Sequence, residues 1–190
     1  MLVKFLLQLL LLAALSALAG AAWVAHRPVD VAPVEPPKPG ARQRELVDDL
    51  KQAAIKRSAI FEIGEAELNR HLSKALVGTL PEPAGKWAQF DRVALELEPG
   101  IAHATLVWNV RGHLTTATVD FQVERLDQTF RVEVIGGSYG HLKVPQGMLR
   151  PLAPALKKIA AALQEEIHVL FQMNQIQIAQ DKLLLDPRFP

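Results

Sequence analysis

The chain has 190 residues, 49% hydrophobic and 22% charged, with a formal net charge of +1, which leaves room for one ordinary domain and an accessory segment. Near-neutral charge argues against a nucleic-acid partner. With no cysteine, a disulfide framework, a thiolate metal site, a cysteine nucleophile and an acylated-cysteine anchor are all excluded, while the redox compartment stays open.

From Phe5 to Ala25 the chain carries no charge, and its only polar side chains are Gln8 and Ser16. A helix of about 20 such residues rises ~30 Å, the thickness of a bilayer's hydrocarbon core. Trp23 stands where an interfacial aromatic would, with His26 and Arg27 as a polar stop. Residues 1–27 therefore read as a transmembrane anchor or a signal peptide. Ala17-Leu18-Ala19 before Gly20 has the small-x-small form of a cleavage site, but the apolar run continues past it through Val24. The short head in front of the run favours export of everything behind it. The expected location is a single-pass cell-membrane protein with its C-terminal domain outside the cytoplasm, or an exported, periplasmic one if the signal is cleaved.

Residues 28–40 hold five of the thirteen prolines and read as a Pro-rich linker, extended rather than packed. Beyond it, residues 41–190 carry 18 basic and 18 acidic side chains, so the expected extracytoplasmic α+β domain is neutral and the +1 belongs to the tether.

Within that domain, Leu46, Val47, Leu50, Ala54 and Ile55 form one stripe of an amphipathic helix over Ala41 to Ser58. A short extended piece, Phe61-Glu62-Ile63, precedes a second helix opened by Gly64, with Leu68, Leu72, Ala75 and Leu76 on one face. Gly78 and Pro81 to Pro83 end it. Period-two alternation then runs through Val93-Leu95-Leu97, Ala104-Leu106-Trp108-Val110, Ala117-Val119-Phe121-Val123 and Phe130-Val132-Val134, separated by short turn-rich links. This predicts a four-stranded antiparallel meander with one apolar and one wet face. Gly136 to Gly140 reads as a flexible break, His141 to Pro145 as a short extended piece, and Gln146 to Phe171 as one long helix with Leu149, Leu152, Leu156, Ile159, Leu163, Ile167 and Leu170 on a stripe. Pro151 and Pro154 fall in its opening turns. Gln175 to Ile178 and Lys182 to Leu185 read as two closing strands.

No catalytic set survives inspection. The six histidines lack ligand spacing, and the surface reading is preferred for each. Glu96 and Glu98, or Glu165 and Glu166, resemble carboxylate pairs but fit solvated faces. Ser138 lacks a nucleophile elbow and the nearby glycines lack a phosphate-loop Lys. The expectation is a non-enzyme with no catalytic residue, cofactor or metal.

A twisted sheet must cover its apolar face, and the striped helix is the natural cover. The two either close as an ordinary core or close incompletely, leaving a groove for a lipid or acyl chain; periodicity does not separate these. The candidate lipid-facing residues are Leu95, Leu97, Leu106, Trp108, Val119, Phe121, Val132 and Val134 on the sheet and Leu152, Leu156 and Leu163 on the helix.

Phe61-Glu62-Ile63-Gly64-Glu65-Ala66-Glu67-Leu68-Asn69, the meander, Gly140-His141-Leu142-Lys143-Val144-Pro145 and the terminal Ile176-x-Ile178-x-x-Asp181-Lys182 resemble small membrane-anchored bacterial envelope proteins of the YpmS-like kind. These are similar to the tubular lipid-binding (TULIP-like) superfamily. The resemblance spans residues 60 to 186 and implies a curved sheet around a long helix, here an open half-tube, with lipid as ligand and no catalytic residues to transfer. From the residues themselves, the early glutamates suit a helix start and Asn69 suits a bond to a neighbouring backbone. The expected function is a membrane-tethered envelope protein binding lipid or another hydrophobe between sheet and helix. The alternative is a non-enzymatic interaction or scaffold module of an envelope or secretion assembly with a fully packed core. The membrane is the expected partner of the first helix, and no protein partner is specified.

Overall fold

The computed structural model describes residues 2–31, 46–57, 59–76, 88–126 and 129–188; the linker beyond Val31, the helix expected to begin at Ala41 up to residue 45, and the Pro81 to Pro83 segment lie outside them. The elements in order are helix α1 (Leu2–His26), α2 (Leu46–Lys56), strand β1 (Phe61–Gly64), α3 (Glu65–Ala75), β2 (Ala88–Glu98), β3 (Ile101–Val110), β4 (His113–Leu126), β5 (Thr129–Tyr139), β6 (Leu142–Val144), a 3-10 helix (Gln146–Leu152), α4 (Ala153–Ala162), α5 (Gln164–Leu170), β7 (Gln175–Ala179) and β8 (Lys182–Asp186). The protein is thus α+β, with an N-terminal apolar helix that fits a single-pass anchor or a signal.

Alternation places the strands as expected, and the sheet has five of them, in the antiparallel order β2-β3-β4-β5-β6. The added member is the Leu142–Val144 piece, paired with Gly137 to Tyr139. Of the expected break at Gly136 to Gly140, Gly136 to Tyr139 are instead the end of β5, and Gly140 opens the turn after it. Gly137 is needed there because a β-carbon would collide with the Thr118 carbonyl oxygen and press on Leu149. One face of the sheet carries Leu95, Leu97, Leu106, Val119, Phe121 and Val134, and Leu72, Leu76, Leu149 and Leu152 close over part of it.

The single long helix expected over Gln146 to Phe171 is three pieces. Proline lacks the N–H that an α-turn needs, and the segment containing Pro151 winds as a 3-10 helix, with α-geometry beginning at Ala153. A second break falls at Leu163, whose φ of −101° and ψ of 24° leave the helical region. The break lets α4 lie on the five-stranded sheet while α5 sends Val169 into a second cluster with Leu46, Leu50, Ile63, Met173 and Leu185.

That second cluster rests on a sheet the sequence did not announce. The closing strands form the expected hairpin, β7 with β8, and β1 adds to it across a gap of 120 residues, pairing Ile63 with Leu183 in the order β1-β8-β7. The hairpin turn joins the two sheets: the Asp181 N–H donates to the Leu97 carbonyl at 3.0 Å, and the Asp181 carbonyl accepts from the Glu65 N–H at 2.9 Å. Asp181 takes φ 57° to do so, a left-handed conformation that Asp tolerates in turns.

The outer face is only partly wet. Behind α1 the chain crosses it as a strap: the Val29 N–H donates to Thr116 Oγ1 at 2.9 Å, and Pro28 to Val31 flank Val107 and Thr116, both buried. The last turn of α1 is fastened too, because the His141 N–H donates to the Val24 carbonyl at 3.3 Å. Gly140 lies so close to the Ala25 and Arg27 carbonyls that a β-carbon would not fit. The first four residues of the expected linker therefore lie against the sheet, with Val29 and Val31 partly buried and Pro28 and Asp30 exposed.

Candidate functional site

At the end of the five-stranded sheet away from α1, the apolar faces do not meet, and a cavity of about 440 Å³ remains. Small-molecule sites fall in the range of roughly 300–1,000 Å³. Leu95 and Leu97 of β2, Ala102 of β3, Val123 of β4 and Val132 of β5 form one wall. Leu46 and Leu50 of α2 with Ile63, Ile176, Ile178 and Leu183 of the small sheet form the second, and α3, the end of α4 with Leu163, and α5 with Phe171 supply the rest. On either side of Leu163, α4 packs on the core of the five-stranded sheet and α5 packs on α2, and the gap lies beside them. Ala102 and Ala160 contribute only methyl groups to the wall. Val132, Ala160 and Phe171 are exposed wall residues, so the mouth lies between the free edge of β5 and the helices.

Two polar side chains line this space, and they touch. His71 Nε2 donates to Glu166 Oε1 at 2.8 Å, with both side chains mostly buried. His71 follows Leu68 by three residues and precedes Leu72 on the inward face of α3, so the fold of that helix carries it inside. The surface reading of His71 is thereby corrected. The carboxylate pair is divided as well, since Glu165 faces outward to Lys51 at 3.1 Å. Next to an apolar cavity, the imidazole and carboxylate offer a hydrogen-bonding point for the polar end of an amphiphile. Among the described residues, no three His, Asp or Glu side chains stand close enough to hold a metal ion.

Of the lipid-facing candidates, the structure brings Leu95, Leu97, Val132 and Leu163 to the cavity wall. Leu106, Val119 and Leu152 are buried in the adjoining core, with Trp108, Phe121, Val134 and Leu156 packed against them. The α2 and small-sheet walls were missed, because nothing local in Ile63 or Leu183 signals that β1 and β8 pair.

A second polar cluster sits on the outer face. His103 Nδ1 donates to Asp120 Oδ1 at 2.7 Å, and Glu98 Oε2 lies 3.5 Å from Nε2. Burial lowers the imidazole pKa, but the hydrogen bond and charge of Asp120, with those of Glu98, outweigh it and hold it above the ordinary value of 6.5. This group faces away from the cavity.

No protein-family model matches the chain, and neither does any of the curated proteins.

Proposed function

We propose that this is a membrane-tethered envelope protein whose exported domain binds a lipid or another hydrophobic ligand in the cavity between the two sheets and the helices. The observation that carries it is the 440 Å³ cavity, apolar except at His71 and Glu166. Water gains little there, having few polar partners, whereas each buried methylene of an acyl chain contributes ~0.8 kcal/mol. The apolar α1 beside such a domain supports the tether, and the half-tube arrangement of a TULIP-like fold is in keeping with a ligand between sheet and helices. The test is organic extraction and mass spectrometry of the full chain purified in a non-lipid detergent, followed by titration with a fluorescent acyl probe. A stoichiometric lipid or saturable probe binding supports the reading; neither, with the detergent exchanged away, overturns it.

A scaffold role is favoured by a different observation. Among the described residues no strand pairs with the outer edge of β5 before Gly137, and Val132 and Ile135 are exposed along that stretch. Such an edge accepts an added strand. Recovery of one stoichiometric protein partner that protects this edge, without lipid, would favour it.

A further inference from the structure

The packed strap has a geometric consequence for where the domain sits. α1 is long and apolar enough to span from Val3 to His26, and with Trp23 read as its interfacial aromatic, Val24, whose carbonyl accepts from His141, lies at the membrane-surface end of that span. Gly140 abuts the Ala25 and Arg27 carbonyls, and Val29 is bonded to Thr116. No free length of chain separates the boundary from the sheet, so the β5–β6 turn meets the interface directly.

We propose that this end of the domain is a lipid-facing surface that lies on anionic phospholipid headgroups. Three basic side chains lie on the elements at this end: Arg27, over Trp23 at 5.6 Å, exposed Lys143 on β6, which α1 contacts, and exposed Arg150 on the 3-10 helix, which packs on β5. Met148 and Leu114 are large apolar side chains that the fold leaves 57% and 46% exposed at the same end. The Met148 carbonyl accepts from Tyr139, next to Gly140, and Leu114 stands beside Pro28 and Val29. Basic groups ringing exposed apolar ones match an anionic interface, where each Lys or Arg strengthens binding about fivefold. Asp30 is an acidic exception in the strap. At the opposite end, Glu62, Glu98, Glu124 and Glu133 are offset only in part by Arg125, Arg131 and Lys182. The end beside α1 thus presents Arg27, Lys143 and Arg150 against Asp30 of the strap.

This proposal rests on the anchor part of the proposed function and is independent of the cavity. The test uses the full chain, which has no cysteine of its own, carrying Met148→Cys or, as a far-end control, Gln177→Cys. Each is labelled with an environment-sensitive dye and reconstituted into nanodiscs of phosphatidylcholine, alone or mixed with phosphatidylglycerol. Lipids spin-labelled at the headgroup should quench the Met148 site in the mixed discs, less so in phosphatidylcholine alone, and should leave the Gln177 site unquenched. Lys143→Glu with Arg150→Glu, both at exposed positions, should bring quenching down to the phosphatidylcholine level, and added salt should do the same to the parent chain. Equal quenching in both discs, none in either, or indifference to charge reversal and salt would overturn the proposal. Release of the chain from the discs by an alkaline wash would overturn the anchor reading as well, whereas a retained chain without quenching overturns this proposal alone.

Discussion

Asn69 takes both backbone hydrogen bonds of Leu95: its Nδ2 donates to the Leu95 carbonyl at 2.7 Å, and its Oδ1 accepts from the Leu95 N–H at 2.6 Å. Four residues earlier on α3, Glu65 Oε2 accepts from the Leu97 N–H at 2.8 Å. The spacings match, since four helical residues rise ~6 Å and two strand residues ~6.7 Å. One helix face therefore stands in for a missing neighbour strand along β2, the edge of the sheet, and closes it to stray pairing. Asn69→Ala leaves a carbonyl and an N–H of Leu95 without these partners and is expected to lower stability by about 2–3 kcal/mol. Denaturant unfolding of the full chain in detergent measures it. Asn69→Asp keeps an acceptor but loses the donor, and should fall between parent and Ala.

Ala160 lies at the cavity mouth and is exposed, while its neighbour Ala161 is exposed off the wall. Ala160→Trp should block the entrance and weaken binding of a fluorescent acyl probe by about tenfold or more, which corresponds to at least ~1.4 kcal/mol. Ala161→Trp should bind as the parent does. Matching thermal midpoints for the three proteins would separate blockage from misfolding.

The His71–Glu166 contact ties α3 to α5 across the cavity wall. Replacing either residue by Leu strands the other beside apolar walls, at an expected cost of about 1–3 kcal/mol each. The double variant should be destabilised by less than the sum of the two, because it removes both polar groups together. A double-mutant cycle from urea unfolding reads the coupling; strict additivity would show that the contact has no energetic weight.

His103 links stability to pH in a defined direction. Its folded pKa lies above 6.5 because Asp120 and Glu98 favour the charged form. The stabilisation is then complete below the unfolded value near 6.5 and fades as pH rises through the folded value. Stability of the parent relative to His103→Gln should accordingly be greatest at about pH 5–6 and decline toward pH 8. Thermal unfolding of the two proteins across that range checks the sign.

The alternation in Val93 to Leu97, Ala104 to Val110, Ala117 to Val123 and Phe130 to Val134 was enough to place four strands, because a half-buried strand writes its two faces into every second residue. The helix stripe from Leu149 to Leu170 was equally visible, but its spacing is blind to axis direction. It continues through the break at Leu163, where one residue leaves helical geometry without a glycine or proline. Part of one cavity wall was legible for the same reason. Leu95, Leu97, Val132 and Leu163 sit on periodic faces, whereas Ile63, Ile176 and Leu183 reach the wall through a strand pairing between residues more than a hundred positions apart. His71 was misplaced because a polar residue on an inward face looks the same in sequence as one on an outward face until its partner, Glu166, is known.

The strap also bears on maturation. Every backbone group by which the N-terminal segment grips the domain, from the Val24 carbonyl to the Val29 amide, lies after the Ala17-Leu18-Ala19 motif. A peptidase cutting before Gly20 would remove the bilayer-spanning length yet leave a short tail still seated on Val107 and Thr116. Retention in the membrane and integrity of the clasp are thus separable properties, divided between the two sides of a single peptide bond.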